Sequence, residues 1–151
     1  MDDATHGPLG ALARGLAAGA AGTAAMTVAQ TAYYKATGGE PSSTPAEVAK
    51  RAIGGLAQRP VPEGHDTLLN HAMHWLYGTS WGALLGLAAA GRRPGTGVAF
   101  GLTVWGASLV HLPALGLAPP VWEYDGRTLA SDVGFHVVYG VTAASAYKAL
   151  G

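Results

Sequence analysis

Five side chains suited to acid–base or metal chemistry lie in or beside stretches of this 151-residue chain that otherwise carry no charge: His71, His74, His111, Asp132 and His136. Asp132 and His136 are four apart, so on a helix they stack on one face. A carboxylate beside an imidazole can orient the ring, favour its protonated form, or share a metal ion with it. His71 and His74, three apart, also share a face. The chain has no cysteine, which excludes disulfides, thiolate metal sites, iron–sulfur clusters and cysteine nucleophiles. Three imidazoles and a carboxylate suit a divalent transition metal such as zinc, or proton exchange near neutral pH.

The elements that must position these groups follow from the distribution of charge. Only 12% of the residues are charged, and the nine basic and nine acidic residues cancel. Residues 15–34, 67–91, 94–122 and 133–147 contain no Asp, Glu, Lys or Arg. A helix crosses a hydrocarbon core of roughly 30 Å with about 20 mostly apolar residues. A soluble amphipathic helix of that length would show charges on its wet face. The sequence therefore predicts an all-α polytopic membrane protein, a single domain with four transmembrane helices in an antiparallel bundle. The spans fall at about 10–34, 67–91, 95–117 and 129–149. The first reads as a retained helix, because Asp2 and Asp3 replace the basic start of a cleaved signal peptide.

Residues 35–66 form the one long polar connection, with a short amphipathic surface helix at about 45–58. Thr44-Pro45-Ala46-Glu47 reads as its capping box, Val48, Ile53 and Leu56 as its apolar side, and Pro60 and Pro62 as its end. Lipid gives helices no hydrophobic reason to associate, so small residues that let backbones approach carry the packing. Gly78, Gly82 and Gly86 form two consecutive GxxxG steps; Gly15 with Gly19 and Gly97 with Gly101 form others. Trp75, Trp122, Tyr33, Tyr34, Tyr124 and Tyr147 lie near the run ends, where an aromatic belt belongs.

Alternate threading places the imidazoles at one depth. The second and fourth spans begin, and the third ends, on the side facing the polar connection. At about 1.5 Å per residue, His74, His111 and His136 lie roughly 8–12 Å below that surface, with His71 one turn shallower at the entrance. Pro113 deprives a carbonyl near His111 of its helical partner. Glu123 stands in the loop above, and Gln30 and Tyr34, at the matching end of the first span, are candidate supporting donors. The opposite side carries Arg14, Arg92, Arg93 and Lys148 near short connections, so both termini are predicted to be cytoplasmic.

The stretch His111-Leu112-Pro113 followed by Gly116-Leu117-Ala118-Pro119-Pro120-Val121-Trp122-Glu123, within His74 to Tyr147, resembles the YagU-like family of small bacterial inner-membrane proteins. His74, His111, Glu123, Asp132 and His136 fall on matching positions of that family's pattern. The likeness covers roughly the C-terminal half of the chain. It implies a multi-pass protein of the bacterial inner membrane, without a settled activity.

Four functions fit these residues. His74, His111, His136 and Asp132 would bind a divalent metal or relay protons, for transport or sensing, from the extracytoplasmic half of the bundle. Two of the histidines would instead be axial ligands of a b-type haem. A His–carboxylate base would serve a membrane enzyme, although GxSxG, Walker and HExxH motifs are absent from the sequence. Finally, the GxxxG faces would make the chain an accessory subunit of a homo-oligomer or a larger membrane partner. The expected surroundings are the lipid bilayer; few, dispersed basic residues exclude nucleic acid.

Overall fold

The computed structural model describes residues 7–40, 42–57, 64–88 and 96–151. They form five α-helices and one turn of 3-10 helix, with no strand among them: α1 (Pro8–Thr37), α2 (Thr44–Ala57), α3 (Asp66–Ala88), α4 (Thr96–Ala114), the 3-10 turn Val121–Glu123, and α5 (Gly126–Ala149). Pro60, Pro62, the Arg92–Arg93 turn, Asp2 and Asp3, and the last residues of the expected second span lie outside the described residues.

Four long helices run up and down. α1 is central, packed along α3 on one side and α5 on the other; α4 lies on the far side of α5, and α2 lies on α3. The glycine rows set the closest approaches. A methyl group built on Gly19 would lie 2.7 Å from the Gly78 carbonyl oxygen and 2.8 Å from the Gly82 Cα. Gly15 meets Gly82 and Gly86 in the same way, so α1 and α3 touch backbone to backbone in antiparallel register. Gly22 continues the row against Tyr139 and Ala143 of α5. Gly97 and Gly101 of α4 meet Gly140 and its neighbours, again antiparallel. All three glycine rows are thus used inside the chain.

Two tyrosines lock this packing. Tyr139 donates its hydroxyl to the Gly78 carbonyl at 2.6 Å, and Tyr147 donates to the Gly86 carbonyl at 3.2 Å. Donors and acceptors are each spaced by eight residues, about two turns, along the parallel helices α5 and α3. Tyr147 is therefore no part of an interfacial belt: it is 1% exposed, with the Arg14 guanidinium 5.0 Å above its ring. Its position two turns after Tyr139, on the buried stripe of α5, decides this. Trp122, 80% exposed, has the exposure a belt residue needs.

One helix among the described residues is long and apolar enough to cross a membrane, over Gly97–Ala114 of α4, with a mean hydropathy of 1.3. α1, α3 and α5 have 30, 23 and 24 residues, but Ala, Gly, Thr, Ser and His dilute their apolar content. Hydroxyls on α1, α3 and α4 are satisfied locally. Thr23, Thr27, Thr31, Thr79, Ser80 and Thr103 each donate to the carbonyl four residues back, which removes the need for water. α4 ends where Leu117 N–H donates to Leu112 O and Gly116 N–H to Pro113 O, with Gly116 at φ +66. This is a Schellman cap, and a left-handed residue there favours glycine.

α2 starts differently from the expected capping box. Glu47 N–H donates to the Ser43 carbonyl, and Ala46 N–H goes to Asn70 Oδ1 of α3 at 3.0 Å. Asn70 Nδ2 donates to the Ser42 carbonyl at 3.2 Å, so one α3 side chain clamps the start of α2. That clamp turns Ala46 and Ala49 inward and leaves Leu56 89% exposed, correcting the expected Val48–Ile53–Leu56 side. Lys50 bridges Asp66 and Glu47, and both carboxylates hold its ammonium above the usual lysine range.

Asp125 caps α5. Its Oδ1 accepts from Arg127 N at 2.9 Å and Thr128 N at 3.0 Å, and its Oδ2 accepts from the Thr128 hydroxyl at 2.6 Å. The Thr128 bonds hold this carboxyl below its ordinary range.

Glycines in the seams and glycines facing open space should respond differently to substitution. Gly82→Leu has no room between Gly15 and Gly19 and should destabilise the protein in detergent by about 1–3 kcal/mol or more in circular-dichroism melts. Gly134→Ala, where a methyl meets nothing within 4 Å, should be neutral or slightly stabilising. For the Asp125 cap, a depressed folded-state pKa contributes stability above the carboxylate range, lost as pH falls through it. The midpoint deficit of Asp125→Ala should be full at pH 7 and close by about pH 3.

Candidate functional site

The antiparallel threading brings the end of α1, the start of α3, the end of α4 and the start of α5 to one end of the bundle. His71 is exposed on α3, and His74, one turn deeper, is half-buried. His136 is buried at 9% exposure, and Asp132 stands one turn above it on α5. His74 lies in the electrostatic field of both His136 and His71. His71 and His74 thus stand about one turn apart on α3, and His136 is buried on α5 at the same end of the bundle.

Asp132 holds two partners. Its Oδ1 is 3.4 Å from His136 Nδ1, and its Oδ2 accepts from Trp105 Nε1 of α4 at 2.9 Å. His136 Nδ1 has a shorter contact, 2.8 Å, with the Asp132 carbonyl oxygen. A carbonyl can only accept, so this nitrogen carries the proton and Nε2 keeps its lone pair. His111 has the same form, with Nδ1 at 2.6 Å from the Ala107 carbonyl. His74 differs. Thr27 Oγ1 is 3.3 Å from His74 Nε2, and the Thr27 proton is already donated to the Thr23 carbonyl at 2.8 Å. Thr27 therefore accepts, which leaves the proton on His74 Nε2 and the lone pair on Nδ1.

The remaining predicted residues take separate places. The ring of His111 lies 5.7 Å from that of Tyr77, in an aromatic row that continues through Trp81 and Phe100 between α3 and α4. Tyr34 is half-buried against Phe135 and Tyr33 and feels the charge of Asp132. Gln30 is half-buried one turn before it. Glu123 is exposed at the end of the 3-10 turn. Beside it, Tyr124 is half-buried; burial, then the Asp132 charge, push its phenol up.

No three His, Asp or Glu side chains among the described residues are grouped so that they could hold a metal ion. What is assembled is a carboxylate, hydrogen-bonded to Trp105, 3.4 Å from the His136 imidazole, with His74 at the same end of the bundle.

Trp105 and Thr27 are functional neighbours that histidine spacing does not reveal. Each had a signal. An indole N–H in an uncharged run needs an acceptor, and Trp105 continues the four-residue spacing of Gly97 and Gly101. Thr23, Thr27 and Thr31 repeat at four on a helix otherwise built mostly of Ala and Gly.

No family model, no curated protein and no solved structure matches the chain. The likeness to the YagU-like family therefore rests on its sequence pattern.

The tautomers give a direct test. Ring ¹⁵N spectra at about pH 8 should show His111 and His136 protonated on Nδ1 and His74 on Nε2. Thr27→Val should disturb the His74 signals alone.

Proposed function

We propose that the chain is a four-span protein of the bacterial inner membrane with a proton-responsive site in the extracytoplasmic half of its bundle. The observation that carries this reading is the Asp132–His136 pair of α5, at the same end of the bundle as half-buried His74 and exposed His71. Ionisable groups inside spans are costly and mark function by default. Membrane placement is supported by the uncharged runs and by self-satisfied hydroxyls on exposed helix faces. It is supported too by α1, α3 and α5 packing through glycine. The excess of basic residues near short connections favours cytoplasmic termini. The GxxxG rows are filled internally, so an accessory subunit docking through them is the weaker reading.

The polar series stops short of the other membrane face. Thr27 and Thr23 donate to their own helix, and Tyr139 donates to the Gly78 carbonyl. A carbonyl passes no proton onward. The role is therefore sensing, from one side, in place of conduction.

The thermal midpoint of purified protein should change between pH 5 and 8, and His74→Gln or His136→Gln should flatten that dependence. Proteoliposomes loaded with a pH dye should leak protons no faster than empty ones. A midpoint profile identical in parent and both variants would overturn the reading; a leak abolished by His136→Gln would replace sensing by transport.

A further inference from the structure

We infer that Trp105 is the positioning residue of this site: its indole N–H holds the Asp132 carboxylate in place, and the glycine seam between α4 and α5 sets the register that brings the two together. The inference rests on the proton-responsive reading above and adds a residue, and a helix, to it.

The geometry is a ladder with steps of four. Going up α4, Gly97 lies against Val141 and Ala144 of α5, with a built methyl 2.8 Å from the Val141 Cα and 3.3 Å from the Ala144 Cβ. Gly101 lies against His136 and Val137, with a built methyl 2.9 Å from the His136 carbonyl carbon. One turn further, the residue is Trp105 and the partner is Asp132. The same stripe thus changes from backbone contact to a side-chain bridge at the depth of the site. Gly101 touches the very residue, His136, whose carboxylate partner Trp105 holds. Among the described side chains of α4, the other polar groups turn back on their own helix: Thr103 to Ala99, Ser108 to Trp105, and His111 to Ala107. Trp105 reaches across.

Its bond divides the carboxylate. With Oδ2 fixed at 2.9 Å, Oδ1 stays 3.4 Å from His136 Nδ1, longer than the roughly 2.7–2.9 Å of a charge-assisted bond. His136 donates its proton to the Asp132 carbonyl instead. Trp105 therefore keeps acid and imidazole adjacent but not fused into a tight ion pair. Among the described residues, Tyr34, Tyr124 and His74 are the other titratable groups facing this pair, from α1, the loop and α3.

The test reads the bond and the site separately. In ¹⁵N-tryptophan-labelled parent protein, assigned with Trp105→Phe, the Trp105 indole N–H should be shifted downfield and should move with pH over the range in which the thermal midpoint moves. Asp132→Ala should return it toward the position of exposed Trp122. Trp105→Phe, which keeps a ring but no donor, should change the His136 ring ¹⁵N pattern; Trp122→Phe should not. Gly101→Ala, which pushes α4 off His136, should reproduce the Trp105→Phe signature. If parent protein shows the pH response while the Trp105 indole ignores both pH and Asp132→Ala, the positioning role is overturned and the proton-responsive site stands. If parent protein shows no pH response, the site reading itself fails.

Discussion

The structure depends on backbone-to-backbone contact between helices, and above all on α1 meeting α3 through Gly15, Gly19, Gly78, Gly82 and Gly86. Apolar side chains gain nothing by leaving lipid for one another, so helix association in a bilayer rests on dispersion at close range and on interhelical hydrogen bonds. Such bonds average only about 0.6 kcal/mol in membrane proteins. In this protein the tyrosine and tryptophan bonds follow from the close glycine contacts. Helices that touch at Gly78 and Gly86 put those carbonyls within reach of Tyr139 and Tyr147; helices that touch at Gly101 put Asp132 within reach of Trp105.

That solution dilutes apolar character. A helix rich in Ala, Gly and Thr packs closely but partitions weakly by itself. Only α4, which packs along α5, meets α3 through aromatic rings and leaves most of its surface outside the bundle, is apolar enough among the described helices to meet a simple spanning criterion. On α1 and α3 the hydroxyls of Thr23, Thr27, Thr31, Thr79 and Ser80 are satisfied within the protein, several of them on exposed faces. They fold back on the preceding turn, and the Gly78 and Gly86 carbonyls receive tyrosine protons. The same composition thus explains both the close packing and the modest hydropathy.

The all-α class was legible in the sequence because charge-free runs and glycine periodicity survive any detail of packing. His74, His136 and Asp132 were likewise assigned to one end, since alternate threading fixes depth at about 1.5 Å per residue. Rotation about each helix axis is another matter. Depth alone says nothing of azimuth, and His111 turns to Tyr77 while its neighbours at equal depth turn to α1 and α5. Tyr147 sits at the end of a run, yet its eight-residue spacing from Tyr139 buries it. The start of α2 shows the same limit from another side: Thr44 offers a local cap, but Asn70, 24 positions beyond Ala46, wins the amide. A tertiary partner supplied by a fixed helix costs less entropy than a turn that must order itself.

An indole has one polar hydrogen and no acceptor, and inside an apolar helix Trp105 must find a partner. A carboxylate has two oxygens and the same need, more acutely. Each satisfies the other across α4 and α5, at a place chosen by glycines one and two turns away. Replacing either alone would leave a polar group unpaired, whereas His136 can fall back on a carbonyl of its own helix. Acid and indole are therefore bound together more tightly than acid and imidazole. The imidazole is the member of this trio with a second partner within its own helix.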